Sequence, residues 1–249
     1  MKKGGIIVFL LFALWAGILC FLPSTFSSDV QPRPMVSMTP TQPPSFLAQI
    51  DQTTWDYYKL IALQSEFGSS SRQDVVKKWT TPIFVYIGEH HTEDDLCIIQ
   101  DHLDALQKIS GIPEISRTDS LENANLTISF ITQGEMNVKT ESNGEIALGY
   151  TTIWWDSQGS ITKGEIDIVY DAQTQMERQH TLLEEITQAM GLMNDAILYD
   201  DSIFYVEYKP DIIALSSLDW KLLEIHYSDV IGPGMNGKEI DALYRTSHT

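Results

Sequence analysis

The chain has 249 residues, of which 43% are hydrophobic and 10% are aromatic. This is enough apolar surface to build a core, which excludes a chain that is disordered throughout. The formal net charge of −18 excludes nucleic acid as a partner of the folded part and disfavours anionic lipid surfaces, because like charges repel.

The N-terminus is a strongly apolar segment. Lys2 and Lys3 precede a nearly unbroken hydrophobic stretch from Ile6 to Leu22. This pattern is typical of an export signal or of a short membrane anchor. Residues 1–28 are therefore predicted to be a signal peptide or an N-terminal membrane anchor. Either one places the rest of the chain outside the cytoplasm, and an uncleaved segment would also contact the membrane.

A proline-rich linker is predicted over residues 29–45. Six of the ten prolines lie between Pro23 and Pro44, interleaved with Ser and Thr, which favours an extended, polyproline-like chain. The folded domain is predicted to cover residues 46–249. Its only cysteine is Cys97, so an internal disulfide is excluded, and we expect this side chain to be buried on the apolar side of a helix.

The first half of the domain is predicted to alternate between helix and strand. Apolar residues at helical spacing predict a helix from near Ser45 to near Gly68. The continuously apolar sequence IFVYI predicts a buried strand over residues 83–87. A long helix then begins at Thr92, where Asp95 three residues later completes a capping box.

The second half is predicted to hold three strands and two helices. Alternating hydrophobicity predicts a strand over residues 125–131, and residues 145–155 and 164–170 are predicted to be two more strands separated by the turn DSQGS. A helix follows and ends at Gly191, where a C-terminal turn needs a positive φ. A last helix begins at Ser216. This order predicts an α+β domain.

The stretch HTLLEEITQAMGLMND, residues 180–195, is laid out like the metal-binding helix of a zinc peptidase. In such a helix two histidines four residues apart bind zinc, and the glutamate beside the first activates a water molecule. Here Glu184 and Gln188 have that spacing, and Glu185 has the place of the base. Asn194, three residues after the glycine that ends the helix, has the place of a third ligand.

The residue types at these positions predict that the zinc site is lost. Neutral amide oxygens are weak zinc ligands, and proteins bind zinc through His, Cys or carboxylate groups. We therefore expect no metal cofactor, with Gln188 and Asn194 in hydrogen bonds to Glu184 or to the backbone of the following turn. One alternative is a different metal ion held by His180, Glu184 and Asp195. A calcium site is less favoured, since it needs about six to eight oxygen ligands.

Three segments together resemble a known type of enzyme. EEITQAMGLMND resembles the HExxHxxGxxH helix of metzincin-type zinc peptidases with every His replaced. SIFYVEY, residues 202–208, resembles the Met-turn of matrixin-like enzymes, with Phe204 in place of Met and Val206 in place of Pro. LSSLDWKLLEIHY, residues 215–227, resembles their closing helix. The resemblance implies a zincin-like domain with a mixed twisted sheet, two long helices and a C-terminal helical tail, behind the N-terminal apolar segment.

The same segments, combined with the later PGM of residues 233–235, more closely resemble one exported bacterial family that is catalogued as domain of unknown function 2927. This resemblance implies a location in the periplasm, either free or anchored to the inner membrane. It implies no activity.

We predict a catalytically inactive, zincin-like domain that binds an extended peptide or an envelope protein in the retained cleft. One alternative is an envelope metallohydrolase with non-standard ligands, in which Glu185 would be catalytic. The other is a purely structural envelope protein. Besides the helix positions, the residues predicted to line the cleft or to hold its frame are Trp154, Trp155, Gly191, Ser202, Phe204, Tyr205 and Asp219.

Overall fold

The computed structural model describes residues 46–63, 75–140 and 147–249. The predicted signal or anchor segment and the linker lie outside these ranges, and so does the predicted end of the first helix near Gly68. Within these ranges, no helix has both the length and the apolar character needed to cross a bilayer.

The described domain is built on a six-stranded mixed sheet. The strands are β1 (Lys78–Trp79), β2 (Ile83–Ile87), β3 (Ile115–Arg117), β4 (Leu126–Ile131), β5 (Gly149–Trp155) and β6 (Ser160–Val169). Strand β6 has β1 and β4 on one side and β5 on the other, and β2 and β3 continue the sheet beyond β4. All neighbours are parallel except β5 and β6. In the described part of the chain, β5 is therefore an antiparallel strand at one edge.

Six helices accompany this sheet in the described ranges. They are α1 (Gln52–Leu63), α2 (Glu93–Leu106), α3 (Gln133–Lys139), α4 (Gln175–Ala189), α5 (Ser217–His226) and α6 (Gly237–Ser247), and a short 3-10 helix, Leu47–Gln49, precedes α1. The two longest, α2 and α4, pack against each other, and α4 also packs on β5 and β6. The predicted α+β domain with a mixed sheet, two long helices and a helical tail is confirmed.

Short polar side chains fix where the helices begin. The two capping boxes predicted from the sequence, Thr92 with Asp95 and Ser216 with Asp219, are both confirmed. Further capping boxes begin α3, α4 and α6 at Thr132, Thr174 and Asn236. In each box the two side chains satisfy backbone N–H groups that would otherwise lack partners.

A buried ion pair joins the starts of α2 and α4. Arg178 Nε lies 2.8 Å from Asp95 Oδ1, and these side chains are 9% and 0% exposed. Burial opposes ionisation of Asp95, but hydrogen bonds from Thr92 and Arg178 outweigh it, so the pKa of Asp95 lies below its ordinary value. The pair fixes the relative position of the two longest helices.

The sequence interpretation missed α6, which packs on the chain's first described turn. The Trp55 and Tyr244 rings stack with centroids 4.7 Å apart, and Trp55 Nε1 donates to Asp241 Oδ1 at 3.0 Å. Tyr244 OH donates to the Ile50 carbonyl. This helix therefore ties the end of the domain to its beginning.

One burial prediction is wrong. Cys97 is exposed on α2. The buried positions of that helix include Ile99, Leu103 and Leu106, which follow the helical repeat, and Cys97 falls outside their stripe.

Candidate functional site

The residues at the ligand positions lie in the interior of the domain. His180, Glu184, Glu185 and Gln188 on α4, together with Asn194 after it, are between 1% and 6% exposed. This burial follows from the packing of α4, which is in contact with α2 and with strands β5 and β6. A partner outside the protein therefore does not reach these side chains in this structure.

Gly191 ends the α4 segment as predicted, with a φ of +103°. A Cβ atom added here would lie 1.8 Å from the Lys77 carbonyl oxygen and 2.9 Å from His226 Nε2. The backbone of the turn therefore packs directly against Lys77, which precedes β1, and against His226 at the end of α5. Only glycine fits, both because of its backbone conformation and because no space remains for a side chain.

The second and third ligand positions take part in hydrogen bonds within the protein. Gln188 Nε2 donates to Asp195 Oδ1 at 3.2 Å, so its partner is a side chain of the following turn and not the backbone that the sequence suggested. Asn194 Nδ2 donates to the Leu60 carbonyl of α1 at 3.0 Å, and its backbone N–H donates to the Ile61 carbonyl at 3.2 Å. Asn194 thus links the tail to α1, an arrangement that the sequence did not predict.

His180 is held by the tail of the domain. Its Nδ1 lies 2.7 Å from the Ile212 carbonyl oxygen, and because a carbonyl only accepts, Nδ1 carries the proton. Its Nε2 lies 3.5 Å from Glu184 Oε2. The ring also meets that of Tyr208 edge to face, with centroids 5.7 Å apart.

The segment from Tyr208 to Ile213 therefore lies against this face of α4. Gln179 Nε2 adds a hydrogen bond to the Ile213 carbonyl at 3.0 Å. Burial, together with the nearby carboxylates of Glu177 and Glu184, raises the pKa of Tyr208 well above its ordinary range. Tyr208, which the sequence did not single out, thus contacts the site helix itself.

Glu185, at the position of the catalytic base, lies against the edge strand. A Cβ atom added at Gly149 would be 2.4 Å from Glu185 Oε1, so the carboxylate contacts the backbone at the start of β5. The Thr151 hydroxyl donates to the Glu185 carbonyl at 3.0 Å. These contacts position α4 against β5.

A buried hydrogen-bond cluster fixes the turn that contains residues 202–204. Ser202 Oγ donates to Asp219 Oδ1 at 2.5 Å, and the Ile203 N–H donates to Asp219 Oδ2 at 3.0 Å. Burial raises the pKa of Asp219 although these bonds favour its charged form. Phe204, in the place of the methionine, is fully buried. Ser202, Phe204 and Asp219 thus hold the frame of the domain.

The three aromatic residues predicted beside the cleft are half-buried, and each faces a lysine. Lys163 Nζ lies 4.9 Å from the ring centroid of Trp154, and Lys77 Nζ lies 5.1 Å from that of Trp155. Lys209 Nζ lies 4.9 Å from the ring centroid of Tyr205. These are cation–π distances. The remainder of β5, residues 149–153, is buried.

Two buried histidines form contacts that the sequence interpretation missed. His226 Nε2 donates to the Lys77 carbonyl at 2.8 Å and its Nδ1 accepts from Tyr58 OH at 3.2 Å. His102 Nε2 lies 3.1 Å from the Thr187 hydroxyl, which itself donates to a backbone carbonyl and so accepts from the ring. Burial lowers the pKa of His226 to about 3 and that of His102 to about 4. Both rings are therefore neutral at pH 7.

The donor set at the site does not fit a zinc ion. Within the described ranges, no group of three or more His, Cys, Asp and Glu side chains is placed to hold a metal. Gln188 and Asn194 direct amide groups to Asp195 and Leu60. His180 and Glu184 remain as a pair, whereas zinc in proteins has three or four such ligands.

Comparison with known proteins gives a family and a distant structural likeness. The model of the family described as "Protein of unknown function (DUF2927)" matches residues 51–246. No curated protein matches the sequence. A solved structure titled "Structure of Myroilysin" is 13% identical and covers 65% of this chain and 87% of its own, with a TM-score of 0.41. A second, "Crystal structure of myroilysin", is 13% identical and covers 65% and 67%, with a TM-score of 0.31. A likeness of this size assigns no activity to the chain.

Proposed function

Because this chain belongs to the family described as protein of unknown function DUF2927, a description that carries no activity, we propose a function from the site itself. The protein is a catalytically inactive, zincin-like domain that binds an extended peptide or a protein at the cell envelope. The envelope location rests on the apolar N-terminal sequence.

One observation supports the proposal that the domain is catalytically inactive. The residues at the ligand positions form hydrogen bonds within the protein. Gln188 and Asn194 hydrogen-bond to the chain's own tail and to α1, and His180 donates to the backbone of the segment that covers it. A hydrolase needs a reactive group that touches the substrate. These side chains instead stabilise the junction of helix, tail and sheet.

The binding part is supported by where exposed apolar side chains occur. The described residues hold seven large exposed hydrophobic side chains, and four of them lie on α4 or on the tail that follows it. We name these four the apolar rim: Met176, Ile197, Leu198 and Ile213. Neighbouring exposed apolar side chains, such as Ile197 at 71% and Leu198 at 61% exposure, can mark a surface for a partner.

A purely structural role is the second candidate, and the burial of residues 149–153 favours it. An extended peptide that joins a sheet must reach the unpaired backbone groups of an edge strand. In β5 those groups belong to buried residues. A peptide partner is therefore expected at the apolar rim and not along β5.

Binding by the apolar rim can be tested with the full-length protein and an array of extended 12-residue peptides. Ile197→Asp and Leu198→Asp should abolish capture of the peptides that the wild type retains, because a charge replaces the apolar contact. Leu121→Asp and Val138→Asp, at exposed apolar positions elsewhere, are matched controls and should leave capture intact. If no peptide is retained, or if all four variants behave alike, the structural role is supported instead.

A further inference from the structure

A groove of about 740 Å³ lies between helix α1, residues 198–199 and the N-terminal half of α6. Its lining includes Leu198 of the apolar rim, which is exposed, and the half-buried side chains of Leu60 and Tyr199. We name it the α1–α6 groove. Ligand sites in proteins commonly measure about 300–1,000 Å³. The groove therefore continues the apolar rim into a concavity that is large enough for part of a peptide.

Two carboxylates lie close together in the lining of the α1–α6 groove. They belong to Asp56 on α1 and Asp241 on α6, and the two side chains are 56% and 35% exposed. Lys59 Nζ lies 3.0 Å from the Oδ1 atom of each. These three are the charged residues among the described residues that line the groove, so the lining has one more negative than positive charge.

Both carboxylates are ionised at neutral pH. Hydrogen bonds from Gln52 and Lys59 hold the pKa of Asp56 below its ordinary value. Burial opposes ionisation of Asp241, but hydrogen bonds from Trp55 and Lys59 outweigh it, so the pKa of Asp241 is also lowered. The chain has a formal net charge of −18, which adds a negative field around the groove. The groove therefore attracts cations and repels anions.

The apolar side of the groove is preformed. The Tyr199 ring meets that of Tyr57 edge to face, with centroids 4.7 Å apart, and this contact holds it beside Leu198. Carboxylates bind lysine and arginine through charge-assisted hydrogen bonds, while apolar surface binds the stems of these side chains and their apolar neighbours. A partner that uses both sides of the groove needs a cationic and an apolar side chain close together. A small inorganic cation would use only the carboxylates.

We propose that the α1–α6 groove selects the peptide partner and binds a segment in which a lysine or arginine lies next to an apolar side chain. The cationic group competes with Lys59 for the carboxylates of Asp56 and Asp241, and the apolar side chain packs on Leu198. This inference rests on the proposed function, because Leu198 belongs to the apolar rim. It adds the chemistry by which the partner is recognised.

Fluorescence anisotropy with three synthetic 12-residue peptides and the full-length protein tests this selection. The peptides share the same leucines and differ only in whether their polar positions hold lysine, glutamine or glutamate. The lysine peptide should bind at least about fivefold more tightly than the glutamine peptide, and the glutamate peptide should bind most weakly. Asp56→Asn together with Asp241→Asn should lower the affinity for the lysine peptide to that for the glutamine peptide.

The matched control carries Asp101→Asn and Asp104→Asn, at two exposed positions of α2 that do not line the groove. It changes the net charge of the chain by the same amount as the groove variant. The control should bind the lysine peptide as the wild type does. An equal loss of affinity in both variants would overturn the inference, because binding would then follow the net charge and not the groove.

Lys59→Gln gives a test of opposite sign. It removes the cation that competes for the two carboxylates, so the lysine peptide should bind about threefold more tightly than to the wild type. A damaged fold would not raise the affinity. Unchanged or weaker binding would overturn the inference. Equal affinity for all three peptides would overturn it but leave the proposed function standing, whereas failure of these peptides and of every peptide in the array would overturn both.

Discussion

Gly191→Ala should destabilise the domain by at least about 4 kcal/mol, which for a domain of this size can prevent folding. The added methyl group would lie 1.8 Å from the Lys77 carbonyl oxygen, far inside van der Waals contact. The φ of +103° adds strain for any residue with a Cβ atom. The backbone at Lys77 cannot move freely, since its carbonyl also accepts a hydrogen bond from His226 Nε2. Urea unfolding followed by circular dichroism measures the loss.

Gly134→Ala is the matched control for this substitution. Gly134 lies within α3, is exposed and has ordinary backbone angles, and the nearest atom to an added Cβ is 3.8 Å away. Alanine should therefore raise the free energy of unfolding slightly, by up to about 1 kcal/mol, through helix propensity. A Gly191→Ala protein as stable as the wild type would contradict the packing described at the end of the site helix.

Acid should destabilise the domain between pH 6.5 and about pH 4, through His102 and His226. Burial lowers their pKa values from 6.5 to about 4 and about 3, so below pH 6.5 the unfolded chain binds protons that the folded chain does not. Stability from these rings is complete above pH 6.5 and is lost as the pH falls. For His102 a shift of this size corresponds to about 3 kcal/mol.

The substitution His102→Gln isolates this effect. The glutamine amide can still donate to Thr187 Oγ1 but does not titrate, so the free energy of unfolding should fall less steeply between pH 6.5 and 4 than in the wild type. Identical slopes in wild type and His102→Gln would show that His102 is not buried as a neutral ring. Urea titrations at each pH provide the measurement.

The sequence predicted those helices and strands whose signals come from residues close to one another in the chain. The capping box at Thr92 and the alternating strand over residues 125–131 need only neighbouring residues, and the structure contains both. Gly191 was predictable for the same reason. Strands β1 and β3 have two and three residues, too few to show a period. They exist because longer neighbours offer them hydrogen bonds.

The missed helices have different causes. Helix α3 has seven residues and buries only Met136, so it lacks the repeated apolar stripe by which helices are recognised. Helix α6 has a capping box at Asn236 and buries Ile240 and Tyr244, a signal that the sequence does contain. Its capping box could have been found by the rule that identified Thr92.

In the candidate site too, the sequence predicted features of neighbouring residues but not contacts between distant parts of the chain. Spacing alone identified Glu184, Gln188 and Asn194 as the positions that correspond to the zinc ligands of a metzincin-type helix. That spacing is a property of one helix and the turn after it. The partners of these residues come from elsewhere in the chain. Leu60 is 134 residues from Asn194, and Ile212 is 32 residues from His180. No local pattern predicts such pairs, so the sequence identified these positions but not the residues that bind them.

Hydrogen bonds within the chain join the ligand positions of α4 and the turn after it to the rest of the domain. In a metal site, one ion cross-links the helix to the turn that follows it. Here the Gln188–Asp195 bond and the two bonds of Asn194 to α1 make a comparable connection. Each hydrogen bond contributes about 1 kcal/mol. The junction therefore depends on several modest bonds, and the packed Gly191 turn adds to them.

The central claim, that the ligand positions serve the fold and not a metal, is tested most directly by metal content. The full-length protein, purified in detergent without a chelator or a polyhistidine tag, should retain far less than one metal ion per chain. Its Tm should not change when zinc or calcium is added at one equivalent, because only a site in the folded state raises Tm. One ion retained per chain, or a rise in Tm that Glu184→Ala abolishes, would contradict the claim.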